Sequence, residues 1–122
     1  MIRSDWMTAG MAAALLLAAT PAHTASVKQI SGVAAYYSEN YKGRTASGER
    51  YDPGKFTCAH RTLPFGTRVR VTDTRTHRSV VVTVNDRGPF GKGRMIDLSL
   101  AAAKALHMVD RGLIHVTAVV QQ

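Results

Sequence analysis

The chain has 122 residues, a mass of 13.2 kDa and a formal net charge of +8 at pH 7. This length accommodates one small domain and excludes an enzyme whose site lies in a cleft between two domains. A single cysteine, Cys58, excludes an internal disulfide, and no Cys/His spacing typical of structural zinc occurs. The basic excess is typical of a protein with an anionic partner: nucleic acid, acidic lipid and acidic polysaccharide all stay open at this point.

Residues 1–25 have the order of a secretory signal peptide. An apolar run over 7–19 is too short to anchor in a bilayer, and a proline and small residues follow it, so we expect cleavage between about 22 and 26. No cysteine lies near this junction, so no lipid anchor is expected. We predict a soluble domain over 26–122, in the periplasm or outside the cell. Cell-wall polymer is then favoured over nucleic acid as the partner.

The rest of the chain consists of short β-type runs separated by Gly, Pro, Asn and Asp. Predicted strands cover 32–37, 67–72, 78–85 and 113–120, and the consecutive valines of the third predict burial on both of its faces. Ser99 is a favourable N-cap for a helix over 100–106. Several strands and one short helix in a domain of this size predict a small closed barrel, because closure removes exposed strand edges.

The stretch between Ser38 and Pro64 is a long connection for a compact domain, which is typical of a functional segment. It carries three candidates for chemistry, Glu49, Asp52 and His60. The fourth candidate, Asp86, follows the valine strand and precedes a Gly-Pro turn.

An aspartate in that position is held rigidly yet stays accessible, although capping a turn is an equally common use of this residue. Carboxylates that are brought together shift each other's pKa values, so that one holds a proton near neutral pH. Cleavage of a glycosidic bond needs that arrangement, because the leaving oxygen must be protonated.

Two other interpretations of these residues are less favoured. Asp52, His60 and Asp86 could ligate a metal, but the sequence has neither an HxxxH nor an HxH motif. Cys58 and His60 could form a nucleophilic pair, but a free cysteine is more often a small buried apolar residue.

Four motifs follow one another in the chain: GRTASGERYD at 43–52, TCAHRTLPFGT at 57–67, VNDRGPF at 84–90 and RMIDLSLAAA at 94–103. Together they resemble the rare lipoprotein A family of septal-ring lytic transglycosylases, over about 32–120. The resemblance implies a mostly β fold, a six-stranded double-psi β-barrel with one short helix. The family's acidic and histidine positions fall on Glu49, Asp52, His60 and Asp86.

The resemblance also implies endolytic cleavage of peptidoglycan between N-acetylmuramic acid and N-acetylglucosamine, with peptide-poor glycan preferred. Asp86 would protonate the glycosidic oxygen and then take the proton of the attacking muramic 6-hydroxyl, which leaves a 1,6-anhydro end. Glu49 and Asp52 would keep the acid protonated or stabilise positive charge, and His60 would orient Asp86. No cofactor or metal is needed, and a monomer is expected. The residues expected to bind the glycan are Tyr37, Arg44, Thr45, Ser47, Arg87 and Phe90.

The sequence departs from this family in a few places. It ends soon after the last predicted strand, so we expect no sporulation-related glycan-binding domain. Cys58 stands where relatives usually have alanine, and His107 ends the predicted helix where they usually have glycine.

Two alternatives to the enzyme are a non-catalytic, expansin-like wall-binding module and an interaction protein with an exposed apolar patch. Retention of all four polar positions favours the enzyme, because binding alone does not require them.

Overall fold

A computed structural model describes residues 28–122, so the predicted signal peptide lies outside the described residues. Six strands and one helix follow in chain order: β1 (Gln29–Tyr36), β2 (Thr57–His60), β3 (Arg68–Asp73), β4 (Ser79–Asp86), β5 (Ile96–Leu98), α1 (Leu100–Ala105) and β6 (Ile114–Val120). The strands close into a barrel in the order β1-β5-β2-β4-β3-β6. The pairs β1/β5 and β2/β4 are parallel, and the other four pairs are antiparallel. The predicted mostly β barrel with one short helix is confirmed.

The four strands predicted from sequence pattern correspond to β1, β3, β4 and β6, with ends that differ by a few residues. The pattern did not predict β2 and β5, which have four and three residues and show too little alternation. The prediction that the valine strand is buried on both faces is wrong. Val82 and Val84 are fully buried, whereas Val81 and Thr83, which alternate with them, are only half-buried. The reason is that β4 has one face on the barrel core and one on the outside.

The core fills the barrel with aliphatic side chains and extends to one face of α1. Ser99 caps this helix as predicted, since its hydroxyl accepts a hydrogen bond from the Ala102 amide at 3.2 Å. Ala102 and Ala103 are buried, and the helix packs against β4. His107 follows the helix with φ 54, a left-handed conformation that glycine adopts without strain. No helix within 28–122 is long and apolar enough to cross a membrane.

The register of four neighbouring strands places one row of side chains on the outer face of the barrel. Ala35 of β1 lies beside Asp97 of β5, Asp97 beside Ala59 of β2, and Ala59 beside Asp86 of β4. Their neighbours along the strands, such as Cys58, belong to the core. Because alternate residues of a strand face opposite sides, this row faces outward. Two half-buried carboxylates and two buried alanines therefore lie in one row on the outer face of the barrel.

Candidate active site

Asp86 ends β4 with its carboxylate held by three hydrogen-bond donors. The Tyr37 hydroxyl donates to Oδ2 at 2.5 Å, and the backbone amides of Ala46 and Arg87 donate to Oδ1 at 2.7 and 2.8 Å. The donors come from the end of β1, from the 43–51 loop and from Asp86's own turn. Such a set fixes the orientation of a carboxylate that is still half-exposed. The structure therefore holds the Asp86 carboxylate in one orientation, and its role in a reaction stays a prediction.

Tyr37 is positioned by backbone and aromatic contacts. Its amide donates to the Leu98 carbonyl at 3.0 Å, and its ring stacks on Tyr51 with centroids 4.4 Å apart. Tyr51 is anchored in turn, since its hydroxyl accepts from the Leu100 amide at 3.0 Å. Burial raises the pKa of Tyr37, and its hydrogen bond to Asp86 and the charge of Asp86 raise it further. Tyr37 therefore stays protonated and keeps donating to Asp86.

The 43–51 loop also makes hydrogen bonds to Asn85, the residue before Asp86. The Ser47 amide donates to the Asn85 carbonyl at 3.1 Å. Glu49 Oε1 accepts from Asn85 Nδ2 at 3.3 Å and from Ser47 Oγ at 3.2 Å. Thr45 is buried, and its hydroxyl donates to the Glu49 carbonyl at 3.0 Å. The structure thus links Glu49, Thr45 and Ser47 to Asp86 by way of Asn85, which the sequence analysis did not single out.

Arg87 and His60 organise the other side of Asp86. Arg87 Nη1 donates to the carbonyls of His60 and Leu63 at 3.2 and 2.9 Å, and its guanidinium lies 4.1 Å from the centroid of the Phe65 ring. His60 Nδ1 accepts from the amides of Thr62 and Leu63 at 3.2 and 3.1 Å. The imidazole therefore shapes the turn whose carbonyls hold Arg87.

Burial lowers the pKa of His60, and the charges of Lys28, Arg61 and Arg87 lower it further. A neutral imidazole that accepts at Nδ1 carries its proton on Nε2. Within 28–122, His60 and Asp86 share no hydrogen bond; their link runs through the 60–63 turn and Arg87. Direct orientation of Asp86 by His60 stays a prediction.

An open groove runs over Asp86, and we call it the Asp86 groove. Tyr37, Arg87 and Phe90 line it, together with Arg94 and Asp97. The Phe90 ring is 80% exposed, so one whole face is free to pack on a ligand. The segment that carries it is held by Arg61. The guanidinium of Arg61 donates to the carbonyls of Pro89 and Arg94, each at 2.7 Å, and to that of Gly91 at 3.3 Å.

The sequence analysis singled out neither Arg94 nor Asp97, and Asp97 is the carboxylate among the groove residues that it missed. It lies in the fourth motif, whose Asp-Leu-Ser signature was noted for its resemblance without a role for the aspartate. Its strand, β5, is too short for pattern recognition, and only the pairing with β2 reveals that Asp97 and Asp86 share one face. The signal that could have identified Asp97 is its position as a carboxylate inside the 94–103 motif.

Six of the ten predicted site residues do not line the Asp86 groove: Arg44, Thr45, Ser47, Glu49, Asp52 and His60. Four of these are linked to Asp86 or Arg87 as described above, whereas Asp52 and Arg44 are not. Asp52 is exposed, and its Oδ1 accepts from the Gly54 amide at 2.9 Å, an Asx turn that lines a neighbouring depression together with Glu49. Arg44 is exposed and donates from Nη1 to the Gly48 carbonyl at 3.1 Å.

Neither alternative chemistry finds a site in the described part of the chain. No group of three potential ligands there could hold a metal ion. Cys58 is fully buried, and burial, with the charge of Asp97, raises its pKa to about 12. A thiol of that kind is not a nucleophile near neutral pH.

The closed barrel with a carboxylate-bearing groove on its outer face defines the class, a double-psi β-barrel protein. The solved structure of a Streptomyces papain inhibitor has this fold, with a TM-score of 0.64 and 28% identity over 78% of this chain and 96% of that one. An expansin of Clavibacter michiganensis shares the fold at a TM-score of 0.62 and 22% identity, over 78% of this chain and 51% of the expansin.

A family model described as lytic transglycolase matches residues 29–118, and the chain belongs to that family. A Neisseria meningitidis relative named endolytic peptidoglycan transglycosylase RlpA is 48% identical over 98 residues, 80% of this chain and 41% of the relative. A relative from Nostoc sp., named "Probable endolytic peptidoglycan transglycosylase RlpA", is 53% identical over 102 residues. That match covers 80% of this chain and 28% of the relative, so this chain spans less than half the length of either protein.

Proposed function

We propose that this protein is an endolytic peptidoglycan lytic transglycosylase that acts between N-acetylmuramic acid and N-acetylglucosamine. The observation that carries the proposal is Asp86, a carboxylate fixed by three donors at the floor of an open groove. The family membership and the names of the relatives support a reaction on peptidoglycan. Peptide-poor strands are the proposed substrate, because they fit an open groove without stem peptides that would have to be accommodated.

In the proposed reaction the glycan lies across the Asp86 groove. The muramic 6-hydroxyl attacks the anomeric carbon as the bond to the leaving oxygen breaks. One proton leaves the attacking hydroxyl and one reaches the leaving oxygen, so no water is consumed and the product carries a 1,6-anhydro ring. Asp86 is the proposed reacting carboxylate. Phe90 offers a face for a sugar ring, and Arg87, beside Phe65, offers a cation at the groove wall.

The product identifies the reaction. The chain without residues 1–25 is incubated with sacculi stripped of stem peptides, and the soluble fragments are analysed by mass spectrometry. We expect 1,6-anhydromuramyl ends, and internal fragments of several lengths for an endolytic enzyme. Reducing muramyl ends would mean hydrolysis and contradict the proposal. Intact strands that retain the protein would favour the wall-binding module.

We further propose that the domain is exported and is held on the anionic wall by its basic surface. Residues 26–122 carry fifteen basic and seven acidic side chains. Arg68 and Arg70 are exposed on the outer face of β3, and Arg78 is exposed before β4. The two ion pairs found within 28–122 involve other arginines.

Binding to sacculi should therefore fall steeply between low salt and about 0.5 M, where screening is strong. The triple variant Arg68→Gln, Arg70→Gln, Arg78→Gln should bind more weakly at low salt. Lys104→Gln, an exposed change on α1, is the matched control for a single lost charge. Binding that does not respond to salt would refute this part of the proposal.

A further inference from the structure

Asp86 is accompanied in its groove by a second carboxylate. Asp97 of β5 and Asp86 of β4 flank Ala59 of β2 in the outward-facing row. Two strand spacings separate their Cα atoms by about 10 Å. The alanine between them is buried and has only a methyl side chain, and it lines the same groove as both carboxylates. One glycosidic bond placed over Ala59 would have a carboxylate on either side of it.

The two carboxylates have different surroundings. Asp86 accepts hydrogen bonds from three donors. The Oδ1 atom of Asp97 is buried and accepts none within 28–122; its nearest cation is Arg94, whose Nη1 lies 3.9 Å away. Burial raises the pKa of Asp97, the Arg94 guanidinium opposes this, and the charge of Asp86 adds to the rise. Carboxylates in such unlike environments are suited to opposite proton-transfer roles.

We propose that Asp97 is the proton donor of the reaction and that Asp86 is the proton acceptor, an assignment that rests on the proposed function. Asp97 gives its proton to the leaving glycosidic oxygen as the bond to the anomeric carbon breaks. Asp86 takes the proton of the muramic 6-hydroxyl as its oxygen bonds to that carbon. The proton then returns from Asp86 to Asp97 through solvent. This division replaces the sequence-based expectation that Asp86 performs both transfers.

Four titratable or charged groups act on Asp97. Tyr37 at the end of β1, Cys58 on β2 and Asp86 on β4 interact electrostatically with Asp97, as does Arg94, three residues before it in the chain. Burial raises the pKa of Tyr37 and of Cys58, so both are neutral near pH 7. Asp86 and Arg94 are therefore the charges that tune Asp97, and they act in opposite directions.

The first test does not depend on activity. Carboxyl carbons of aspartate are labelled with ¹³C and followed by NMR during a pH titration, with Asp97→Asn used to assign the resonance. We expect Asp97 to titrate above the ordinary aspartate range, and Asp86→Asn to move its titration to lower pH. Titration of Asp97 in the ordinary range, or at a position that Asp86→Asn leaves unchanged, would overturn the proposal.

The second test separates proton donation from a structural role. Rates are compared on the glycan and on a muramyl nitrophenyl glycoside, whose leaving group departs without protonation. Asp97→Asn should lose about 100-fold or more on the glycan but less than about tenfold on the aryl glycoside, whereas Asp86→Asn should lose heavily on both. The alkaline limb of the wild-type pH–rate profile on glycan should disappear in Asp97→Asn. Asp110→Asn, an exposed aspartate beyond α1, is the matched control.

Equal losses of Asp97→Asn on both substrates would assign it a structural role and overturn the proposal, as would full activity on glycan. Circular dichroism and urea unfolding establish that each variant is folded before its rates are compared. A folded wild-type chain that forms no anhydro ends would overturn the proposed function and the transfer step with it. The NMR titration distinguishes that outcome, because it reports proton binding by Asp97 whether or not turnover occurs.

Discussion

Asp73 and Asp86 end neighbouring antiparallel strands of the barrel, and their surroundings differ sharply. Asp73 is 1% exposed at the end of β3, where it pairs with the Arg111 guanidinium and accepts from the Arg75 amide at 2.9 Å. Burial acts to raise the pKa of Asp73, but its hydrogen bonds, led by the one from Arg111, lower it overall. Asp86 has a tyrosine and two amides as partners and opens on a groove. Burial beside a cation makes Asp73 part of the fold, whereas neutral donors and solvent access leave Asp86 available for chemistry.

The largest effect is expected at Asp86. Asp86→Asn should lower kcat/KM on stripped glycan by about 10³-fold, because an amide cannot take the proton of the attacking hydroxyl. The free energy of unfolding should change by less than about 1 kcal/mol, since the side chain is half-exposed. Release of anhydromuramyl ends, measured at equal concentrations of folded protein, tests this. A variant that keeps full activity would remove Asp86 from the mechanism.

Asp73→Asn should show the reverse behaviour. The substitution removes the buried charge that accepts a hydrogen bond from the partly exposed Arg111 guanidinium, so we expect a loss of about 2 kcal/mol in the free energy of unfolding. Activity per folded molecule should be unchanged. Asp110→Asn, on an exposed aspartate next to Arg111, should stay within about 0.5 kcal/mol. Because folding lowers the pKa of Asp73, its stabilising contribution is fully present above the ordinary aspartate pKa. It is lost as the pH falls from that value through the lowered pKa of the folded state.

A stable Asp73→Asn variant with impaired activity would contradict this difference between the two aspartates. It would show that the buried Asp73 influences the reaction in the Asp86 groove. Urea unfolding at pH 7 and at about pH 3, with wild type and variant side by side, measures both the loss and its pH dependence.

Substitutions of His60, which lies near the Asp86 groove, are expected to change stability by no more than Asp73→Asn does. The oxygen of asparagine can take the place of Nδ1 toward the amides of Thr62 and Leu63, whereas glutamine places its polar atoms one bond farther out. We expect His60→Gln to lose about 2 kcal/mol of stability, from two hydrogen bonds, and His60→Asn to lose less than half of that. If His60 acted directly on Asp86 through Nε2, His60→Asn would lose activity more severely than His60→Gln, whose amide reaches the position of Nε2.

The contribution of His60 to the free energy of unfolding should decrease as the pH falls. Its pKa is lowered by folding, so the stability that its neutral ring contributes is present above the ordinary histidine pKa and is lost as the pH falls below it. The difference in stability between wild type and His60→Gln should therefore shrink on acidification. A difference that grew instead would contradict the neutral tautomer.

The smallest effect is expected at His107, which precedes the turn that carries Arg111. Its φ of 54 is left-handed, and replacing it with glycine should stabilise the protein by about 1 kcal/mol. His107→Ala, which keeps a Cβ, should give no such gain. The urea unfolding midpoints of the wild type, His107→Gly and His107→Ala measure these changes in stability. A destabilised His107→Gly would show that the imidazole makes contacts that outweigh the backbone strain.

Much of the fold could be predicted from the sequence because it depends on local signals. Alternating β3 and the capped helix α1 follow patterns that a short window contains. The short strands β2 and β5 have no such window, and they form because their neighbours in the closed barrel supply partners. The alternation of β4 was misjudged because a valine run looks the same whether its outer face is covered or open.

For the site, the sequence predicted Asp86, Glu49 and His60 together, and the structure gives each a different relation to the groove. Asp86 lies in it, Glu49 is linked through Asn85, and His60 acts on the turn that holds Arg87. Asp97 was out of reach, because its proximity to Asp86 depends on two strand pairings across β2.

The sequence alone determined the size, the single buried thiol, the basic charge and the motifs that carry the family, since these are properties of composition and order. Tertiary structure alone decided which carboxylates meet. The sequence places Asp73 and Asp86 directly after predicted strands and Asp97 in no predicted element. Only barrel closure buries Asp73 beside Arg111 and brings Asp86 and Asp97 to one groove. The physical reason is that proton affinity and accessibility depend on the surroundings of a carboxylate, and strands from distant parts of the chain supply those surroundings.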